Sequence, residues 1–232
     1  MRDRPSYSFA PALNTMSETS GEVDFVVAGE TFKTWYKVVG DLKSRFRPLV
    51  IVHGGPGFPH FNMLGHDKLY KSHLIPIVWY DQLGCGLSSH LPDKAKEFWT
   101  PELFMDELEN LVKQLGITNN FDVLGHSWGG MLAAQWAAAR HPAGMKRLII
   151  ADSPASMTLW EKAAAQLLLQ MPYDVQETIN KHQKSGTFSD PGSQAAMSQY
   201  YAKFVCRLQP LPPLTAQSFQ EMEKDPTVYN TM

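Results

Sequence analysis

With 232 residues, 44% of them hydrophobic and 19% charged, the chain has the length and apolar content for one sizeable core with room for an inserted subdomain. A formal net charge of -2 gives no electrostatic reason to expect nucleic acid or an anionic membrane as a partner, and the two cysteines, Cys85 and Cys206, lack the spacing of a disulfide framework or a zinc site. No apolar run approaches membrane-spanning length and no apolar segment follows the N-terminal arginines, so the expectation is a cytoplasmic protein with no membrane partner, no metal and no cofactor.

Residues 1–20 are rich in Ser, Thr and Pro without periodicity and read as a disordered tail. From Val23 to Gly40 two segments, VDFVVAGE and TFKTWYKVVG, the second with alternating apolar residues, read as an antiparallel hairpin leading into a main sheet. Pro48 to His53 is a continuous apolar run of the kind a strand buried on both faces requires, and it runs into Gly54-Gly55-Pro56-Gly57. A second such run, Ile75 to Tyr80, ends in Asp81-Gln82-Leu83-Gly84-Cys85-Gly86-Leu87-Ser88. Thr100 can cap a helix that has Pro101 in its first turn, carries Leu103, Leu108, Leu111, Val112 and Leu115 on one face, and stops at Gly116. The apolar segment Phe121, Val123, Leu124 is a further strand, Gly130 to Arg140 an alanine-rich helix ended by His141-Pro142, and Lys146 to Ala151 another buried strand. This alternation of strand and helix argues an α/β fold, a mostly parallel sheet covered by helices on both faces.

After Asp152 the rhythm changes to helical patterns separated by proline-rich breaks: Met157 to Leu169, Pro172 to Lys184, Gln194 to Leu208 and Thr215 to Lys224. Helices in succession after a sheet strand suggest a cap laid over the carboxyl edge of the sheet. The expected organisation is therefore a tail over 1–20, an α/β core over 21–154 and a helical cap over 155–232.

The stretch with the most chemistry is Gly125-His126-Ser127-Trp128-Gly129, a G-x-S-x-G pattern placed where a strand turns into a helix, which is the context of a nucleophile elbow. The turn is tight enough that residues two away from the serine must lack side chains, which accounts for Gly125 and Gly129. Acyl transfer needs a nucleophile, a base and donors for the oxyanion. Ser127 supplies the first, the backbone N–H of Trp128 a donor aided by the helix dipole, and the glycine-rich loop Gly54, Gly55, Gly57 a second donor.

In this order, HGGPG at 53–57, DQLGCGLS at 81–88 and GHSWGG at 125–130 resemble the proline iminopeptidase family, serine aminopeptidases among the α/β-hydrolases. The resemblance extends from about Val23 to the end of the sequence, including FVCRLQPLP at 204–212 and DPTVYNTM at 225–232. It implies an α/β-hydrolase fold with an inserted helical cap and Gly55 and Trp128 as the oxyanion hole. It also implies cap carboxylates that hold the free amino terminus of a small peptide or amide substrate, from which a proline-like residue is released. Similar proteins in small-molecule pathways hydrolyse other amides or esters.

The resemblance further implies an acid and a histidine, on strands and loops after the cap, that this sequence does not contain. Among the residues present, Asp152 at the end of a strand reads either as the acid or as a helix cap before Ser153-Pro154, and His182 in a cap helix reads either as the base or as a solvated helix position. His141 fits a helix end and His126 an orienting role in the elbow. Gly192 and Phe204 stand where the family commonly has a glutamate and a histidine, and Glu221 and Glu223 read as a solvated helix face. Three functions follow: a serine hydrolase releasing an N-terminal residue, an ester or amide hydrolase or acyltransferase for a small metabolite, and a catalytically incomplete or binding-only remnant.

Overall fold

A computed structural model describes residues 17–187 and 190–232. Its sheet has the strand order β1-β2-β4-β3-β5-β6, formed by β1 (Glu18–Val27), β2 (Glu30–Val39), β3 (Leu49–Val52), β4 (Ile77–Tyr80), β5 (Phe121–His126) and β6 (Met145–Ala151). β2 pairs antiparallel with both β1 and β4, whereas β4, β3, β5 and β6 run parallel. β1 begins at Glu18, inside the stretch expected as tail; the other part of that expectation, residues 1–16, lies outside the described residues.

The period of two in a strand sorts the apolar runs onto two cores. Val50, Val52, Val78, Tyr80 and Val123 face one side, where they meet α2 (Pro101–Gln114) and α3 (Trp128–Arg140) through Phe104, Leu108, Leu111, Leu132 and Trp136. Leu49, Ile51, Ile77, Trp79 and Leu124 face the other, packed against Met63 of a 3-10 turn at His60–His66 and Tyr70 of α1 (Asp67–His73). Continuous hydrophobicity in the central strands is thus the consequence of having helices on both faces. α2 starts where expected: the Thr100 hydroxyl accepts from the Leu103 amide at 3.2 Å, and Pro101 occupies the first turn, where its missing donor costs nothing.

β6 is less covered than the buried strand that Lys146 to Ala151 suggests. Among the described residues it pairs only with β5, and although Leu148 packs on the core, Ile149 and Ile150 are 41% and 52% exposed. Its hydrophobicity and its position disagree because no strand pairs its outer edge among the described residues and cover is incomplete on both faces, to which the consecutive Ile149 and Ile150 point in turn. The helix that follows, α4 (Met157–Leu168), is capped by Ser156, not Asp152, and buries none of its residues.

α5 (Tyr173–Ser185) and α6 (Pro191–Phe204) form a small core of their own from Met171, Val175, Ile179 and Ala196. α7 (Pro213–Lys224) docks on the 3-10 turn through the fully buried Ser218, whose hydroxyl donates to the Pro59 carbonyl and accepts from the Asn62 amide, each at 3.1 Å. α8 (Thr227–Thr231) inserts Val228 into the main core beside Trp99, between the loops that follow β3 and β4. No helix among the described residues is long and apolar enough to cross a membrane.

A buried carboxyl ties this frame together on the α2 side. Glu107 of α2 accepts from the Thr34 hydroxyl of β2 and, at 3.0 Å, from the Leu83 amide in the loop after β4. Burial pushes its carboxyl up to about 7, against the downward pull of those donors and with help from the negative charge of Asp81.

Two outcomes are expected. Ser218→Ala leaves the Pro59 carbonyl and Asn62 amide without their partner and lowers stability by about 1–3 kcal/mol, read as a lower urea midpoint at unchanged slope. Because Glu107 holds its proton to higher pH in the folded than in the unfolded chain, stability falls as pH rises from about 4.5 to about 7, by an amount on the order of 3 kcal/mol. Urea titrations across that window show this slope in the parent chain and its reduction in Glu107→Gln.

Candidate active site

Ser127 occupies the single residue between β5 and α3, with φ 53° and ψ -121°. An L-residue held at such a positive φ stores roughly 1–3 kcal/mol, sustained only by the surrounding packing. The packing is visible at the two glycines. A β-carbon on Gly125 would lie 2.3 Å from the Gly129 carbonyl oxygen, and one on Gly129 would lie 2.2 Å from the Val52 carbonyl oxygen and 2.5 Å from that of His53. The backbones of β5, α3 and the end of β3 therefore touch directly, and only glycine permits it. The Ser127 amide is anchored in turn to the Ala151 carbonyl at the end of β6, at 3.0 Å. These contacts present a half-buried serine at the carboxyl edge of the sheet and start α3 immediately after it.

The HGGPG loop leaves β3 alongside. Gly54 sits against the nucleophile position, since a β-carbon there would be 3.1 Å from Ser127 Cβ. Gly55 has φ 114° and Gly57 φ 80°, and Gly57 packs on the backbone and side chains of Val228 and Tyr229 in α8. His53 itself is 1% exposed. Its Nε2 accepts from the Gln82 amide at 2.9 Å, which leaves Nδ1 to carry the proton and donate to the Gly54 carbonyl at 2.9 Å. Burial lowers the His53 pKa, against the pull of Asp81 and the Gly54 carbonyl, in keeping with a neutral ring.

The DQLGCGLS loop after β4 completes the surroundings. Asp81, fully buried, accepts from the His60 amide and faces His60 Nδ1 with one oxygen, at 2.9 and 2.8 Å, and accepts from the Leu87 amide at 2.9 Å with the other. Gln82 donates from its side chain to the His53 carbonyl at 3.0 Å and accepts from the Trp128 indole at 3.1 Å. His53, Asp81 and Cys85 bring potential ligand atoms within 4.8 Å of one another. Those atoms are already engaged: His53 Nε2 by an amide, Asp81 by two amides and His60, and the Cys85 thiol by the Gln82 carbonyl at 3.2 Å. Burial also pushes the Cys85 thiol well up, so the cluster has the character of a satisfied core and not of a cation site.

The remaining sequence candidates lie apart. Asp152 has φ 49° and an exposed side chain whose nearer oxygen is 3.9 Å from His126 Nε2. His182 is buried within the cap instead of solvated, with Nδ1 2.7 Å from the Thr187 hydroxyl and Nε2 3.4 Å from Asp190. Among the described residues, no hydrogen bond joins Ser127 Oγ to an imidazole. His126 Nδ1 is buried without a partner among them, and burial lowers its pKa while Asp152 opposes. His141 ends α3 in a left-handed conformation. Gly192 lies in the first turn of α6 with its amide held by Asp190, Phe204 packs its ring at a tilt against that of Tyr200 at the other end, and Glu221 pairs with Lys224 while Glu223 is exposed. Sequence reasoning missed Gln82, whose signal was its place in the DQLGCGLS motif, and Glu107, which an amphipathic pattern reads as an ordinary polar position.

The model of the alpha/beta hydrolase fold family matches residues 47–232. A proline iminopeptidase of Lactobacillus helveticus is 38% identical over 160 residues, which are 69% of this chain and 53% of that protein. Among solved structures, VinJ superposes with a TM-score of 0.86 at 44% identity, covering 91% of this chain and 70% of that one. The proline iminopeptidase of Mycobacterium smegmatis superposes with a TM-score of 0.78 at 38% identity, covering 90% and 70%. The chain spans about half the length of the curated relatives it matches (53% of the Lactobacillus helveticus protein). With the elbow, the sheet order and these likenesses together, the chain belongs to the proline iminopeptidase family of α/β-hydrolases.

Proposed function

We propose that the chain is a serine hydrolase that forms an acyl-enzyme on Ser127 and releases a proline-like N-terminal residue from small peptides or amides. The observation that carries this reading is the backbone of Ser127, held at φ 53° between β5 and α3 by the contacts of Gly125 and Gly129. A turn that costs energy is kept where it lifts a hydroxyl clear of the sheet and puts it beside the first free amides of a helix. The substrate class rests on the relatives that bear the name proline iminopeptidase.

In the proposed reaction Ser127 Oγ attacks the scissile carbonyl carbon, its proton passes to a base, and the carbonyl oxygen becomes an oxyanion facing the Trp128 and Gly55 amides. Collapse breaks the C–N bond, the amine leaves with the proton, and water hydrolyses the ester. The elbow glycines and Gly54 give the close approach this needs. Asp152 and His182 are the candidates for acid and base that the sequence offers, and no hydrogen-bonded path runs from either to Ser127 among the described residues. His182 held by Thr187 and Asp190 favours a second reading, a binding-only or catalytically incomplete form that retains the nucleophile and its donors.

An alkyl fluorophosphonate separates these readings. In the first, it labels the parent chain and not Ser127→Ala, and a prolyl anilide is cleaved at a rate that falls by more than roughly a hundredfold in that variant. Equal labelling of both proteins overturns the assignment of Ser127. Labelling without turnover supports the second reading, and faster cleavage of simple acyl esters than of prolyl amides moves the substrate to the ester class.

A further inference from the structure

The two amides proposed to face the oxyanion come from the loop after β3 and from the start of α3, and the buried side chain of Gln82 bonds to both His53, which precedes that loop, and Trp128. Gln82 is 1% exposed, and three of its hydrogen bonds reach His53 and Trp128: its backbone N–H donates to His53 Nε2 at 2.9 Å, its side-chain Nε2 donates to the His53 carbonyl at 3.0 Å, and its Oε1 accepts from the Trp128 indole at 3.1 Å. The amide cannot be flipped, because an indole only donates and a carbonyl only accepts. The backbone contact in turn fixes the tautomer of His53, whose Nδ1–H then reaches the Gly54 carbonyl at 2.9 Å. That carbonyl also accepts from the Phe58 amide at 3.3 Å. The Gly54–Gly55 peptide is trans, so tying down its carbonyl aims the Gly55 N–H the opposite way, free of any protein acceptor among the described residues.

We propose that Gln82 is a positioning residue that clamps the Gly55 loop and the start of α3 together, so that the amides of Gly55 and Trp128 stand at a fixed separation around the oxygen that becomes charged. The proposal rests on the reading of those amides as the oxyanion donors. A side-chain amide is required, since one group must donate to a carbonyl and accept from an indole at once. Glutamate meets both demands only when protonated, and leucine meets neither. The gain is pre-organisation: the donors need not be collected as charge develops, and that is where their contribution to rate lies.

The test uses the whole chain, its Gln82→Leu and Gln82→Glu variants, and fluorophosphonate labelling resolved into the maximal rate and the half-saturating concentration. For Gln82→Leu the maximal rate falls by roughly tenfold to a hundredfold while half-saturation stays within about twofold. For Gln82→Glu the rate relative to the parent rises as pH falls and the new carboxyl takes up its proton, with half-saturation again within about twofold; a merely structural role moves half-saturation or the folded fraction along with the rate. In both variants the Gly55 and Trp128 backbone amide cross-peaks in a 15N-correlated NMR spectrum shift together. A folded Gln82→Leu chain labelled at the parent's maximal rate overturns the proposal, as does a pH-independent ratio for Gln82→Glu. If Ser127 of the parent chain is not labelled, the proposed function fails and the spectra decide the clamp: a Gly55 cross-peak unmoved by either variant overturns it. If Gln82→Leu does not fold, Gln82→Glu alone decides: a ratio that rises as pH falls, with both cross-peaks shifted, supports the clamp, and a flat ratio or an unmoved Gly55 cross-peak overturns it.

Discussion

Everything at the carboxyl edge of this sheet depends on one steric fact, the contact of three backbones where β5 turns into α3. Gly125 touches the Gly129 carbonyl, and Gly129 touches the carbonyls of Val52 and His53. A methyl group on Gly125 would push α3 away from β5, and one on Gly129 would push it away from the end of β3. That would relax the positive φ of Ser127 and open the space between the serine and the HGGPG loop. The strain of the elbow is offset by the burial around it, with Leu132 and Trp136 of α3 and Val52 and Val123 of the sheet almost wholly removed from water.

A second layer of order comes from buried polar groups in the loop after β4. Asp81 holds the His60 amide and the turn at Leu87, Gln82 holds His53 and Trp128, and the Leu83 amide is held by Glu107. Consecutive side chains or amides in one short loop thus reach the 3-10 turn, the elbow helix and α2. Each donor or acceptor is satisfied in a low-dielectric setting, where an unpaired group would be costly, so the network specifies one arrangement of the loops. The cap joins the same region: Ser218 bonds to Pro59, and Val228 fills the space beside Gly57 and Gly84.

The outer strand beside the elbow strand is built differently. β6 carries an apolar sequence into an exposed position, and α4 displays Leu159 and Trp160 at 65% and 53% exposure. The sequence of β6 reads as a buried strand because hydrophobicity reports what a segment needs, and the strand shows that need only partly met among the described residues. His182 shows the reverse. Its polar helix reads as solvated, yet the side chain is buried, with Thr187 and Asp190 facing its ring nitrogens.

What the sequence by itself determined is local and repetitive. The central strands follow from continuous apolar runs, the limits of α2 from Thr100, Pro101 and Gly116, and the position of the elbow from a serine between two glycines at a strand end. Each of these rests on neighbours within a few residues, so periodicity and spacing suffice to find it. Only the tertiary structure decided the roles of Gln82, Glu107 and His53, because their partners lie 24 to 73 positions away and a polar residue in a motif does not say what it bonds to. The same holds for the separation of Asp152 and His182 from the serine: whether an acid or imidazole serves a nucleophile is a matter of distance in space, and chain order carries no measure of it.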